Sequence, residues 1–172
     1  MTAGDGAIRA MTPADLETVR AWRNHASVRD YMFTRSEIAA EDHRRWFERC
    51  TADPARTLLI YEHGGQPQGF VQFSRALCDG VADWGFYTAP DAAKGTGRQL
   101  GRAALDHAFG SLGYQRIAGQ AIDDNAASIR MHTALGFTEE GRLRRHFFDG
   151  ARWHDLVLFG LLNTEWRPSQ QG

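Results

Sequence analysis

The sequence predicts an α/β fold: a mixed, mostly antiparallel sheet of about seven strands with helices on both faces. Three observations carry this. Apolar residues recur at helical spacing as far as Cys50 and at strand spacing after Pro54. Further on, a glycine-rich turn at Gly95-Thr96-Gly97 separates a β-rich run from a clearly amphipathic helix. The chain then closes on two apolar runs flanking Asp149-Gly150, a strong hairpin signal.

Taken in order, Ile8 to Met11 reads as the first strand. Thr12-Pro13-Ala14-Asp15 then opens a helix, with Thr12 as N-cap, Pro13 in the first turn and Asp15 reaching back. Leu16, Val19 and Arg23 share one face of it, beside Trp22. A second helix runs from Ala40 to Cys50, and the stretch from Ser27 to Ile38, with Tyr31-Met32-Phe33, reads as a connection. Thr57 to Glu62 and Gln68 to Ser74 are strands joined by the turn residues His63 to Pro67, and Val81 to Thr88 is a third. Leu100, Ala104, Leu105 and Phe109 set the register of a helix from Thr96 to Ser111. Ile117 to Ile122 is a strand, and Ala126 to Leu135 a helix stopped by Gly136. Thr138 to Phe148 and Arg152 to Leu162 form the closing hairpin, and the tail from Arg167 is polar. An antiparallel meander, one helical crossover and an antiparallel end imply a mixed sheet.

Composition narrows the function. The 172 residues suffice for one core, and no repeat or linker divides them, so 1–172 reads as one domain. A formal net charge of -1 argues against nucleic acid as a partner. No stretch has the apolar length of a signal peptide or membrane span, so a cytoplasmic protein without a membrane partner is expected. Cys50 and Cys78 suit a reduced compartment, and the seven histidines form no metal-like cluster, so no metal is expected. Of the 20 basic residues only Lys94 is lysine, so an arginine cluster is by itself a weak sign of a site.

The stretch Asp83 to Arg98 carries the chemistry. A strand runs into glycines at 95 and 97, and a helix follows at once. The first N–H groups of a helix lack internal partners, glycine lets a phosphate approach them, and the helix dipole favours negative charge. Spacing alone leaves two readings, an anion cradle or a tight β–α turn. It is not a Walker loop, because Lys94-Gly95 has the reverse order, and Gly101 falls one place too late for a dinucleotide fingerprint.

That strand, Pro90, Gly95-Thr96-Gly97 and helix resemble the pyrophosphate motif of the GNAT acetyltransferases, Q/R-x-x-G-x-G/A. Asn125 to Phe137 resembles the second signature of that superfamily, in which an Asn opens a helix and Gly-Phe closes it. The resemblance implies acetyl-CoA as acyl donor, with 53–166 supplying the sheet and cofactor motifs and 1–52 the acceptor-side helices. It implies that Lys94, Gly95, Thr96, Gly97 and Arg98 cradle the pyrophosphate. Phe86, Tyr87 and Thr88 would line the pantetheine as an added strand, with Asn125 and Ser128 on the cofactor arm. The chain departs from the pattern twice. Ala92 stands where the family often has Gln or Arg, and His132 where many members carry a Tyr that protonates the departing thiolate. Since 125, 128 and 132 stack on one helix face, His132 is the expected proton donor.

Trp22-Arg23-Asn24-His25, Val28, Tyr31-Met32-Phe33, Ile38, His43-x-x-Trp46 and Glu140-Gly141-Arg142-Leu143 resemble the N-acetyltransferases of the pseudaminic-acid pathway. This implies a nucleotide-sugar acceptor, the 4-amino group of a UDP-linked amino-dideoxy sugar. Met32, Phe33 and Trp46 would floor its pocket, with Arg23 and His43 as polar contacts. Ribosomal-protein and antibiotic N-acetyltransferases share the W-R-N-like and G-R-L-like elements, so a peptide N-acetyltransferase and a non-catalytic acyl-CoA-binding module both stay open. Arg44, Arg45 and Arg49 read equally well as a solvated face balanced by Glu41, Asp42 and Glu48. With no Cys or Ser in a nucleophile-like context, the amine is expected to attack the thioester directly in a ternary complex. Asp83 is the preferred base, ahead of Asp123 and His43, and a backbone N–H near Phe86 or Tyr87 would bind the thioester oxygen. A monomer and a homodimer are both compatible with the sequence.

Overall fold

The computed structural model describes residues 6–168; residues 1–5 and the end of the polar tail lie outside the described residues. Strand β1 (Ala7–Ala10) forms one edge of the sheet. Its Arg9 donates at 2.8 Å to each carboxylate oxygen of Asp15 and at 2.7 Å to Glu62. The guanidinium holds the Asp15 carboxyl below the usual range. Asp15 also accepts from the Thr12 N–H at 2.8 Å, so the expected capping box forms. It closes a 3-10 turn at Pro13–Asp15, and α1 (Leu16–Asn24) starts after that turn. The single turn α2 (Ala26–Arg29), too short to leave a period in the sequence, overlaps the start of the expected connection. Helix α3 (Ala40–Ala52) follows.

β2 (Arg56–His63) and β3 (Gln66–Arg75) meet at Gly64 and Gly65, with φ of 59° and 74°. Two consecutive positive φ values make the tight primed turn of a hairpin. Gln66 and Pro67, expected in the turn, therefore already belong to the strand. β4 (Val81–Thr88), α4 (Thr96–Gly110), β5 (Arg116–Ile122), α5 (Ala126–Ala134), β6 (Thr138–Phe148) and β7 (Trp153–Leu162) complete the fold. The seven strands lie in the order β1-β2-β3-β4-β5-β7-β6. All neighbours are antiparallel except β4 and β5.

Helices cover both faces. On one, α4 sets Leu100, Ala104 and Leu105 against Val71, Phe73, Trp84 and Phe159. On the other, α1 and α3 bring Val19, Phe47 and Cys50 onto Ile60 and Phe70. Both thiols are free, Cys50 buried and Cys78 exposed. Among the described residues no helix is long and apolar enough to cross a membrane.

One feature of the sheet positions the site. β4 and β5 pair only at Val81↔Arg116, Ala82↔Ile117 and Asp83↔Ala118, and then diverge. From Trp84 to Thr88, β4 still pairs with β3, but its other edge is open. Such an edge carries backbone N–H and C=O groups that need partners.

Candidate active site

The open edge of β4 leads to the start of α4. Gly95 caps that helix with φ 97°, a left-handed conformation that L side chains rarely adopt. The Arg98 and Gln99 N–H groups turn back to the Gly95 carbonyl at 3.1 and 3.2 Å. Lys94 and Gly95 are exposed, and Thr96 is buried beneath them. A Cβ on Gly97 would lie 3.4 Å from Met131 Sδ and 3.8 Å from Thr88 Cγ2. The end of β4, the first turn of α4 and a side chain of α5 thus border one slot. Its closed end is the N-terminus of a fifteen-residue helix, where an anion is favoured.

Alternation along β4 divides its side chains between two faces. Trp84 and Phe86 pack with the α4 cluster, and Thr88 reaches the Gly97 slot. Tyr87 turns to the α1/α3 side, its ring centroid 5.2 Å from that of Phe70. Gly85 faces Gln72 on that same side. Asp83 shares this parity, pairs across to Ser74 and is exposed. Only the backbone of Tyr87 is therefore open to a ligand lying along the slot. Its side chain belongs to the acceptor side, and burial pushes its phenol up.

His132 differs from the expectation. The 125, 128, 132 face exists, but the imidazole is only 1% exposed and stacks on Phe159 with centroids 4.6 Å apart. Its Nδ1 donates to the Ser128 carbonyl at 2.8 Å, and its Nε2 accepts from Trp84 Nε1 at 3.1 Å. Burial lowers its pKa, so the ring is neutral with its one N–H already used. A proton donor to a thiolate needs a free N–H, and this ring has none. Gly119 fits over the pair, because a Cβ there would overlap His132 Nε2 and come within 2.8 Å of Trp84 Nε1. Asn125 likewise spends its Oδ1 on the Ser128 N–H at 3.1 Å, as the N-cap of α5.

On the opposite face of the sheet a file of rings runs from His43 to Trp46 (4.9 Å), Phe70 (5.9 Å) and Tyr87 (5.2 Å). Burial lowers the His43 pKa, with Arg20 and Arg23 acting in the same sense. Arg23 lies near Tyr87 and donates through Nη2 to the Thr34 carbonyl at 2.8 Å. Among the described residues its Nη1 is buried without a partner, as is Oε1 of Gln72. Phe33 does not join this file. It is 54% exposed and meets Phe147 of β6 edge-on at 5.3 Å. Met32 lies half-buried in the same loop. A shallow depression bounded by Arg142, Arg144, Arg145 and Asp155 sits where β6 bulges from β7, two strands from β4. The open strand edge, not concavity, marks the site.

The acetyltransferase (GNAT) domain family matches this chain over residues 7–138. The chain belongs to the GNAT acetyltransferases. It is 33% identical over 131 residues to YokL, an SPbeta prophage-derived uncharacterized N-acetyltransferase of Bacillus subtilis strain 168, across 74% of this chain and 73% of that one. Acetyltransferase PseH of Campylobacter jejuni is 23% identical over 124 residues, across 72% and 77% of the two chains. Spermidine N-acetyltransferase from Vibrio cholerae, solved with CoA and spermine, shares the fold with a TM-score of 0.87 at 22% identity, over 94% of this chain and 97% of that one. This GNAT enzyme is an acetyl-CoA-dependent N-acetyltransferase.

In this acetyltransferase Arg44 and Arg45 pair with Glu41 and Glu48, the solvated helix face that was one of their two readings. Spacing gave no sign of a second polar cluster, at the far end of β5. His154, with no exposed side-chain surface, donates from Nε2 to Asp149 at 2.7 Å and from Nδ1 to Asp123 at 3.1 Å. Asp124 lies 3.6 Å from Nδ1 and pairs with Arg152 at 2.9 Å. Both ring nitrogens donate only in the imidazolium, and the Asp149 carboxylate raises its pKa. Arg35 reaches the same Asp149 at 3.2 Å and lies over the Phe147 ring, so the loop between α2 and α3 is tied to the β6–β7 hairpin.

A pH dependence follows. A raised folded pKa gives stability that is complete below the ordinary histidine value of about 6.5 and is lost as pH climbs through the raised value. His43, His107 and His132, whose pKa values burial lowers, act oppositely and lose their contribution below about 6.5. The thermal midpoint should therefore peak near neutrality, and His154→Gln should flatten its alkaline side alone. Parallel alkaline slopes in the two proteins would place His154 outside the effect.

Proposed function

We propose that this enzyme acetylates the 4-amino group of a UDP-linked amino-dideoxy sugar. The observation that carries the reading is the buried Arg23 Nη1, which has no partner, beside the ring file of His43, Trp46, Phe70 and Tyr87. An unpaired guanidinium N–H suits an anionic oxygen, and an aromatic floor suits the methyl-bearing face of a deoxysugar. The resemblance to the pseudaminic-acid enzymes and the PseH relationship support the same acceptor. A polyamine, named for the Vibrio cholerae neighbour, would instead bring cations to a guanidinium lacking a carboxylate.

In the proposed reaction pantetheine lies along the open edge of β4, with its pyrophosphate on the Lys94 to Arg98 turn. The neutral amine attacks the thioester carbon, forming the N–C bond. The C–S bond breaks, and its electron pair leaves with sulfur as the coenzyme A thiolate. The proton shed by nitrogen passes to water within reach of the exposed Asp83 carboxylate. The thiolate leaves without the help of His132, and the Phe86 or Tyr87 N–H binds the thioester oxygen.

The test is a panel of UDP-amino sugars, amino acids, spermidine and peptide N-termini, incubated with acetyl-CoA and read by mass. The UDP-4-amino sugar should gain one acetyl group fastest. Arg23→Gln and Trp46→Leu should each raise its KM at least about 10-fold, the worth of one charged hydrogen bond or aromatic contact. Their acetyl-CoA affinity should not change. Preference for spermidine, or an unchanged KM in both folded variants, would overturn the sugar assignment.

A further inference from the structure

Gln72 lies on β3 at the centre of the sheet, on the face that carries Phe70 and the ring file. Its Oε1 is buried with no hydrogen-bond partner among the described residues. Turning the amide over would bury Nε2 there instead, so one end stays orphaned in either orientation. A buried orphan acceptor is costly, so a stable fold keeps one only when something else supplies the donor. The surroundings indicate what supplies it. Gln72 pairs across to Gly85, and a Cβ on Gly85 would sit 3.5 Å from Gln72 Nε2. Apart from its chain neighbours, Gln72 Nε2 and Cγ are the only atoms of the described residues within 4 Å of that Cβ position, so one end of the amide borders the place a side chain would fill. Asp83 and Tyr87 flank it at two-residue spacing, and the open edge of β4 runs beside it. Any amine attacking a thioester held along that edge from the α1/α3 side must cross Gly85.

We infer that Gln72 Oε1 accepts an N–H of the acceptor amine and orients its lone pair toward the thioester carbon. This rests on the proposed course of the pantetheine but not on the identity of the acceptor, because every primary amine has an N–H to offer. Gln72 takes up no proton. It fixes the direction of attack, and the missing side chain of Gly85 leaves room beside the amide.

The experiment compares Gln72→Leu and Gln72→Glu with the wild type, using whichever panel amine the wild type acetylates fastest. Leu fills the same space without the orphan, so its thermal midpoint should rise by about 2–6 °C. Its kcat/KM for the amine should fall about 10- to 100-fold, with acetyl-CoA Kd unchanged. Glu keeps an acceptor oxygen and should retain activity within about 5-fold. A merely structural Gln72 predicts the reverse pattern for Leu, a lower midpoint with normal kcat/KM, and either half of that pattern overturns the inference. If Gln72 dependence holds on another amine while the UDP-sugar is inert, the sugar assignment alone fails. If no amine is acetylated, the midpoint of Gln72→Leu decides, and a fall refutes the orphan.

Discussion

Gly97→Phe should lose acetyl-CoA binding by at least about 100-fold in Kd, with a thermal midpoint within a few degrees of the wild type. The two effects separate because the Cβ position at 97 lies in ordinary contact, 3.4 Å from Met131 Sδ and 3.8 Å from Thr88 Cγ2. Gly97→Ala should therefore fold and bind. A phenyl ring extends beyond that contact into the slot between the end of β4 and the first turn of α4, where the pyrophosphate is proposed to lie. Gly95 poses the opposite problem. Nothing lies within 4 Å of its Cβ position, but its φ of 97° strains any L side chain, by about 1–2 kcal/mol. Gly95→Ala should lower stability more than Gly97→Ala. Calorimetry that gives Gly97→Phe a wild-type Kd would remove the α4 N-terminus from the cofactor site.

His132→Ala should cost about 3–4 kcal/mol of stability, or roughly 6–16 °C in midpoint for a chain of this size. The loss combines a cavity against Phe159 with an unpartnered Trp84 N–H. His132→Gln offers Trp84 an acceptor again and should recover about half of it. In that variant kcat should stay within about 5-fold of the wild type from pH 6 to 9, since the native ring has no free proton to give. A well-folded His132→Gln with kcat down 100-fold would return the imidazole to the chemistry. Gly119→Ala should resemble His132→Ala in stability, because its methyl displaces the same hydrogen bond.

The features legible in the sequence were those written over a few residues. The Thr12–Asp15 box, the Gly95-Thr96-Gly97 turn and the Asn125 cap each depend on neighbours within one or two turns of chain. The Asp149-Gly150 hairpin is equally local. The divergence of β4 from β5 is different, since it arises between strands separated by a whole helix. Gln72 carries no local signal either, as its orphaned oxygen exists only once β4 and the first three helices are packed. His154 meets carboxylates 5 and 31 residues away, a separation no spacing rule covers. Tyr87 is another matter. Strand alternation separates its side chain from those of Phe86 and Thr88, so its part in an added-strand pairing falls to its backbone alone. His132 was assigned by homologous position, but burial decided what its ring can do.

The two-faced character of β4 also bears on how such an enzyme can be re-purposed. The proposed donor and acceptor address the same eight residues by parity: 84, 86 and 88 for the thioester side, 83, 85 and 87 for the amine side. A mutational library confined to odd positions, with 72 and 46 added, would explore new amines while leaving the acyl donor alone. Deleting a single residue from β4 would exchange the two sets at a stroke. Diversification of this site is therefore expected to proceed by substitution rather than by change in length.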